Sequence, residues 1–136
     1  MKTITFFGVL VFLATAGAVA KEPSWTGNYG NKQYLGGKAV FQLNILEENG
    51  QISVDFDAVY NDGHGCAPEG SGLAKPRDKE TLKFSFTDTA GNSGTGTIKR
   101  VGTGVIVSVH ATHVADSRCL VFYGANIALH PARPPR

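Results

Sequence analysis

The sequence is poor in cysteine, with two among 136 residues, and it lacks the spacings that hold common zinc sites. Neither Cys-x-x-Cys nor His-Glu-x-x-His occurs anywhere in it. No window has a convincing helical period, which argues against a helix bundle. Lysine and arginine number 13 against 11 acidic residues, and this near balance gives no reason to expect a nucleic-acid partner.

Residues 1–20 are typical of a cleavable signal peptide. Lys2 supplies a positive charge, an apolar run follows over residues 4–13, and Ala18-Val19-Ala20 has the small-x-small pattern that signal peptidase cuts. The apolar run is short for a bilayer span of about 20 residues, and no cysteine stands at the junction to accept a lipid. We therefore expect cleavage after Ala20, export to the periplasm or the medium, and no membrane attachment afterwards.

The two cysteines, Cys66 and Cys119, remain in the exported chain. Oxidising compartments convert such pairs to disulfides, so we predict one bridge. Closing a loop of about 53 residues should stabilise the fold by ~4 kcal/mol. The alternative is a Cys66 nucleophile activated by His64, which would require Cys119 to stay unpaired.

Alternation of apolar and polar residues with a period of two dominates the chain after the leader. Residues 39–45 and 51–60 are typical of half-buried strands, and Asn49-Gly50 between them suits a tight hairpin turn. The predicted core consists of alternate, inward-facing side chains: Phe41, Leu43, Val54, Phe56, Phe84, Phe86, Val105, Val107 and Val109. Further strands are predicted near Leu73-Ala74 and over residues 82–87, 95–101, 104–112, 119–123 and 125–129.

These strands predict an all-β domain over residues 21–129. Short turns between sequential strands favour a single antiparallel meander of seven or eight strands, closed as a small barrel or a sandwich and carrying one disulfide. The proline- and arginine-rich residues 130–136 are expected to form a disordered tail.

The opening Trp25-Thr26-Gly27-Asn28-Tyr29-Gly30 resembles the first strand of small up-and-down barrels, including lipocalin-like ones. The resemblance implies that Trp25 plugs one end of the barrel. Because eight strands leave room for filling side chains or for one small ligand, a lipocalin-like carrier is one functional hypothesis.

Two groups of side chains are candidates for chemistry, and neither predicts a site. His110 and His113, near Asp116, would point to opposite faces of a continuous strand, and only a bulge could bring both to one ion. Asp55 and Asp57 share a face at roughly 7 Å, within the range of glycoside hydrolysis, but such pairs on a wet face are usually solvated charge. We predict no metal, no cofactor and no catalytic residue.

Two glycine-rich segments are expected to be loops that bind a partner. One spans residues 62–72, within the loop predicted over residues 61–72, and offers His64 and Glu69. The other spans residues 92–99. Its Ser93-Gly94-Thr95-Gly96 run resembles the Ser-Gly-x-Gly signature of bacterial periplasmic lysozyme inhibitors, which are small disulfide-bearing β-barrels. The resemblance implies that a loop over residues 92–96 enters the lysozyme cleft, with Ser93 as the loop serine and Lys99 as the lysine that addresses catalytic carboxylates.

The predicted function is therefore an exported binding protein and not an enzyme. It would act as an inhibitor or an immunity protein against a peptidoglycan-degrading enzyme, either a lysozyme or a delivered toxin. The alternatives are the small-ligand carrier and, less favoured, a small hydrolase. The predicted partner-binding residues are Ser93, Gly94, Thr95, Gly96, Lys99, His64 and Glu69.

Overall fold

The structure, a computed structural model, describes residues 23–132 as a closed barrel of eight antiparallel strands. Each strand pairs with the next in chain order and β8 pairs with β1, so the predicted all-β meander is confirmed as a barrel. The signal peptide predicted over residues 1–20 and the last four residues of the predicted tail lie outside the described residues. The strands are β1 (Gly27–Gln33), β2 (Ala39–Glu48), β3 (Gln51–Tyr60), β4 (Glu69–Pro76), β5 (Thr81–Asp88), β6 (Ser93–Val101), β7 (Gly104–His113) and β8 (Ile127–Pro131).

Alternation along each strand builds the interior of the barrel. On β2 and β3, Leu43 lies opposite Phe56 and both are buried, while their sequence neighbours face outward. The turn between these strands places Asn49 and Gly50 at φ of 52° and 76°, as a tight hairpin requires. All nine residues of the predicted core are buried, so the register is confirmed.

Aromatic rings occupy the centre of the barrel. The Phe56 ring stacks on Phe41 at 5.8 Å between centroids and meets Phe86 edge-on at 5.2 Å. Tyr123 packs edge-on against Phe56 at 5.8 Å and against Phe86 at 5.5 Å. Side chains therefore fill the barrel axis.

Trp25 closes the end of the barrel where β1 begins. It is 6% exposed, and the Arg100 guanidinium lies 3.8 Å from the centroid of its ring. The Trp25 backbone N–H donates to a Glu47 carboxylate oxygen at 2.8 Å. Trp25 therefore occupies the plug position expected from the sequence.

The opposite end, called the disulfide end below, is closed by a 3₁₀ helix over Ser117–Phe122. The predicted strand over residues 119–123 is wrong. The Asp116 side chain accepts the Arg118 backbone N–H at 3.0 Å and so starts a helical turn. In such a helix residues three apart share a face, which lets Cys119 and Phe122 both be buried. Cys119 is bonded to Cys66, which confirms the predicted disulfide.

Other element boundaries also differ from the sequence prediction. Strand β4 begins at Glu69, so the predicted loop over residues 61–72 ends at residue 68. Strand β8 continues past residue 129, because His130 and Pro131 pair with β1 and thereby close the barrel edge. A four-residue turn, α1 (Tyr34–Gly37), links β1 to β2 and is not a regular helix, because Leu35 and Gly36 have positive φ of 53° and 67°. No helix within residues 23–132 has the length and apolarity needed to cross a membrane.

Candidate functional site

The segment Ser93–Gly96, predicted as a partner-binding loop, is the first part of strand β6. The loop prediction is wrong because the chain reverses earlier, where the Asp88 N–H donates to the Asn92 carbonyl at 2.9 Å. Gly94 and Gly96 face the interior, where an added Cβ would collide with the His110 carbonyl and with the Phe84 ring respectively. These glycines therefore allow close packing inside the barrel, and their role is not to make a loop flexible.

Ser93 and Thr95, on either side of Gly94, face outward and are partly exposed. Ser93 lies opposite Thr87, and Thr95 lies between Ser85 and His110. They belong to an outer surface of small hydroxyl side chains on β4 to β7, called the hydroxyl face below. Its members are Ser71, Ser85, Thr87, Ser93, Thr95, Thr97 and Ser108.

A groove runs along the β7 side of the hydroxyl face. Its floor and one wall come from β5 to β7 and include Lys83, Thr95 and His110, and its other wall comes from residues 114–126. That second wall includes the exposed apolar side chains Val114 and Leu120. The groove thus combines hydrogen-bond donors with apolar surface.

The remaining predicted partner-binding residues do not join Ser93 in one site. Lys99 is exposed and lies six residues further along β6, which is roughly 20 Å away at the rise of a strand. His64 lies in the loop at the disulfide end, with its ring stacked on Tyr60 at 4.3 Å between centroids. Glu69 is the exposed first residue of β4.

Two carboxyl groups near these residues have altered proton affinities. The His64 backbone N–H, together with its side chain, hydrogen-bonds the Asp62 carboxylate and holds its pKa below the usual value. The pKa of Asp57 is raised, first by partial burial and then by repulsion from Glu69 on the neighbouring strand. Across the strands, Asp57 lies opposite Gln42 and Glu69, and Asp55 lies opposite Asn44 and Ser71. Asp57 and Glu69 are thus paired carboxylates on the outer faces of β3 and β4, and Asp55 has the Ser71 hydroxyl as its cross-strand neighbour.

The disulfide removes the cysteine-nucleophile alternative. Both described cysteines are bonded, so neither offers a thiolate. Within residues 23–132, one group of three ligand-type side chains lies close enough to share an ion, and it consists of Cys66, Cys119 and Asp116. Two of these three residues, Cys66 and Cys119, are bonded to each other in the disulfide.

A buried polar network, not predicted from the sequence, fixes residues 114–126 against the turn before β6. Asn92 is fully buried, and its side-chain oxygen accepts the N–H groups of Ala115 and Asp116 at 2.7 and 2.9 Å. Its side-chain nitrogen donates to the Asp88 carboxylate at 3.0 Å, and Tyr123 Oη donates to the same carboxylate at 2.5 Å. Burial, and then the bond to Asp88, raise the pKa of Tyr123.

One local sequence pattern points to this network, and no long-range pattern does. Asp88 and Asn92 flank the predicted turn, a place where such side chains often bond nearby backbone. Tyr123 lies 35 residues from Asp88, and no local pattern links the two.

The comparisons with known proteins add no functional assignment. No protein-family model, curated protein or solved structure matches this chain. Function must therefore be inferred from the interior and the surface of the barrel.

The interior argues against the small-ligand carrier. The buried apolar side chains of the described residues form a single cluster that runs from Trp25 at one end to Phe122 at the other. Phe41, Phe84 and Phe122 are among the largest fully buried side chains in it. The groove beside β7 and the depression over β1 and β2 both lie on the outside of the barrel.

Proposed function

We propose that this protein is an exported binding protein that recognises a partner protein through its outer surface. The filled interior is the observation that carries this proposal. Aromatic rings of Phe41, Phe56 and Phe84 lie where a carrier of the same strand number would hold its ligand. Recognition then falls to the outer strand faces and the loops.

The hydroxyl face and the groove beside it are the best candidate for the contact surface. The disulfide and the Asn92 network hold residues 114–126 in place, and a surface ordered in advance loses less entropy on binding. Val114, Leu120 and Val121 expose apolar surface on that segment. Apolar contacts beside small polar groups are typical of protein interfaces.

We infer that the partner is a peptidoglycan-degrading enzyme, either a lysozyme that the protein inhibits or a toxin against which it gives immunity. Ser93-Gly94-Thr95-Gly96 supplies the resemblance to lysozyme inhibitors. Glycoside hydrolysis uses two carboxyl groups, and the hydroxyls of the face together with the Lys83 ammonium are donors suited to carboxylates. The face would cover the cleft of the enzyme, in place of the predicted insertion of a loop.

Export is supported by the disulfide. Such bonds persist in oxidising compartments and are rare in the cytosol of most organisms. A periplasmic or secreted location also agrees with the signal peptide expected over residues 1–20.

The test is a lysis assay in which the purified protein is titrated against lysozymes, other muramidases and cell-wall amidases. Thr95→Arg places a long side chain in the centre of the hydroxyl face and should weaken inhibition by about 30-fold, the equivalent of a 2 kcal/mol contact. Asn44→Arg is the matched control, because Asn44 is exposed on the outer face of β2. Circular dichroism should show that both variants keep the barrel.

Two results would contradict the proposal. If the enzymes of the panel stay fully active at saturating protein, the partner class is wrong. Native mass spectrometry of protein isolated from its producing cell could instead show one small molecule bound per chain. In that case the interior is not filled, and the carrier hypothesis replaces surface recognition.

A further inference from the structure

His110 and His113 lie near the end of β7, where the pairing with β6 is irregular. On a regular strand, residues three apart point to opposite faces of the sheet. Here the register shifts between Ser93 and Gly94, so that Thr95 lies opposite His110 while Ser93 lies opposite His113. Thr112 is therefore the extra residue of a β-bulge, a feature that often re-aims side chains.

The bulge brings both histidines to the outer surface of the barrel. Ser93 and Thr95 face outward because Gly94 between them is buried, and each histidine shares the face of its cross-strand partner. Both histidines are exposed. Their cross-strand partners Ser93 and Thr95 are neighbouring outward positions of β6, about 7 Å apart, so the two histidines start from a similar spacing. Two imidazole rings can span such a gap with metal–nitrogen bonds of about 2.0–2.1 Å.

We propose that His110 and His113 form a two-histidine site for a divalent transition-metal ion. Imidazole nitrogen suits Cu²⁺, Ni²⁺ and Zn²⁺, and Cu²⁺ should bind more tightly than Zn²⁺ by the usual order of stability. Two protein ligands leave the other coordination positions open to water or to a group from another molecule. The site lies beside Ser93 and Thr95, at the edge of the hydroxyl face.

The test uses the full, untagged protein titrated separately with Zn²⁺ and Cu²⁺ in a calorimeter. The chain has four histidines, so His64→Ala and His130→Ala provide matched controls. We expect one ion per chain, and at least about tenfold weaker binding for His110→Ala and for His113→Ala, since even the loss of an outer-shell partner costs 10–100-fold. The two control variants should bind within twofold of the parent.

Nuclear magnetic resonance adds a readout specific to the pair. The imidazole signals of His110 and His113 should shift together with one midpoint as Zn²⁺ is added, while those of His64 and His130 stay in place. Unshifted signals at millimolar Zn²⁺, equal losses in a control variant, or full affinity after either substitution would overturn the assignment. Because the isolated protein is measured, this result is independent of whether the proposed partner is correct.

Discussion

Replacing Asn92 by alanine should destabilise the barrel more than any change at an exposed asparagine. The Asn92 side chain is fully buried and makes four hydrogen bonds. Its oxygen accepts two backbone N–H groups, from Ala115 and Asp116, and its nitrogen donates to the Asp88 carboxylate and to the Asp116 carbonyl. Alanine at this position removes all four bonds, and it leaves the Asp88 carboxylate short of a partner at a buried site and the Ala115 and Asp116 backbone groups short of one at partly buried sites.

The expected cost follows from these bonds. At roughly 1 kcal/mol net for each, the loss is roughly 4 kcal/mol, a large share of the 5–15 kcal/mol typical of a domain. For a domain of this size, each kcal/mol lowers the melting temperature by about 4 °C, so a drop of roughly 15 °C is expected. The change should also loosen the segment over residues 114–126 locally.

The assay is urea unfolding, read by circular dichroism and by the fluorescence of Trp25. Asn44→Ala is the control, because Asn44 is exposed on β2 and its truncation should change stability by less than about 0.5 kcal/mol. Amide hydrogen exchange at Ala115 and Asp116 reports the local effect, and both amides should exchange much faster in Asn92→Ala than in the parent.

A loss below 1 kcal/mol, with the Ala115 and Asp116 amides still as protected as in the parent, would refute this reasoning. It would mean that residues 114–126 are held by the disulfide and by apolar packing, and that the polar network adds nothing measurable. Faster exchange without a change in global stability would show that the network acts only locally.

Three further outcomes are expected. Phe56→Ala should cost ~3 to 5 kcal/mol in urea unfolding, since Phe56 lies at the centre of the aromatic cluster; an unchanged midpoint would show that its site is not packed. Reducing the Cys66–Cys119 bond should lower the free energy of unfolding by ~4 kcal/mol. The intact protein should be about 2 Da lighter than its reduced form. Two thiols that react with an alkylating agent in the absence of reductant would exclude the bond. Because folding raises the pKa of Tyr123, the unfolded chain ionises first, and the free energy of unfolding should fall as the pH rises above about 10. The fall should be less steep in Tyr123→Phe. Equal slopes of unfolding free energy against pH in parent and variant would contradict this.

Much of the fold could be predicted from the sequence, because alternation and turn chemistry act over a few residues. Phe41 and Leu43 occupy alternate positions of β2, so they face the same side of the sheet, and Phe56 lies opposite Leu43 on β3. Asn49-Gly50 sets the hairpin that joins the two strands. The pairing of Cys66 with Cys119 needed no geometry, since they are the only two cysteines. These features determined an all-β domain with one bridge.

The candidate surface was predicted only in part. Ser93 and Thr95 can be identified from the sequence, but their glycine neighbours indicate a loop. A sequence does not show whether a glycine gives the backbone conformational freedom or leaves space for a neighbouring side chain. Here Gly96 makes room for the Phe84 ring, a contact between strands that only the folded barrel creates.

The tertiary structure alone decided the features that depend on residues far apart in the chain. The bulge that turns His113 outward is set by pairing with Ser93, and the 3₁₀ helix at Cys119 follows from the need to bury Cys119 and Phe122 against the barrel. The Asn92 network joins the turn before β6 to backbone more than 20 residues later. Periodicity and turn patterns describe neighbours along the chain, whereas these contacts arise only when barrel closure brings distant segments together.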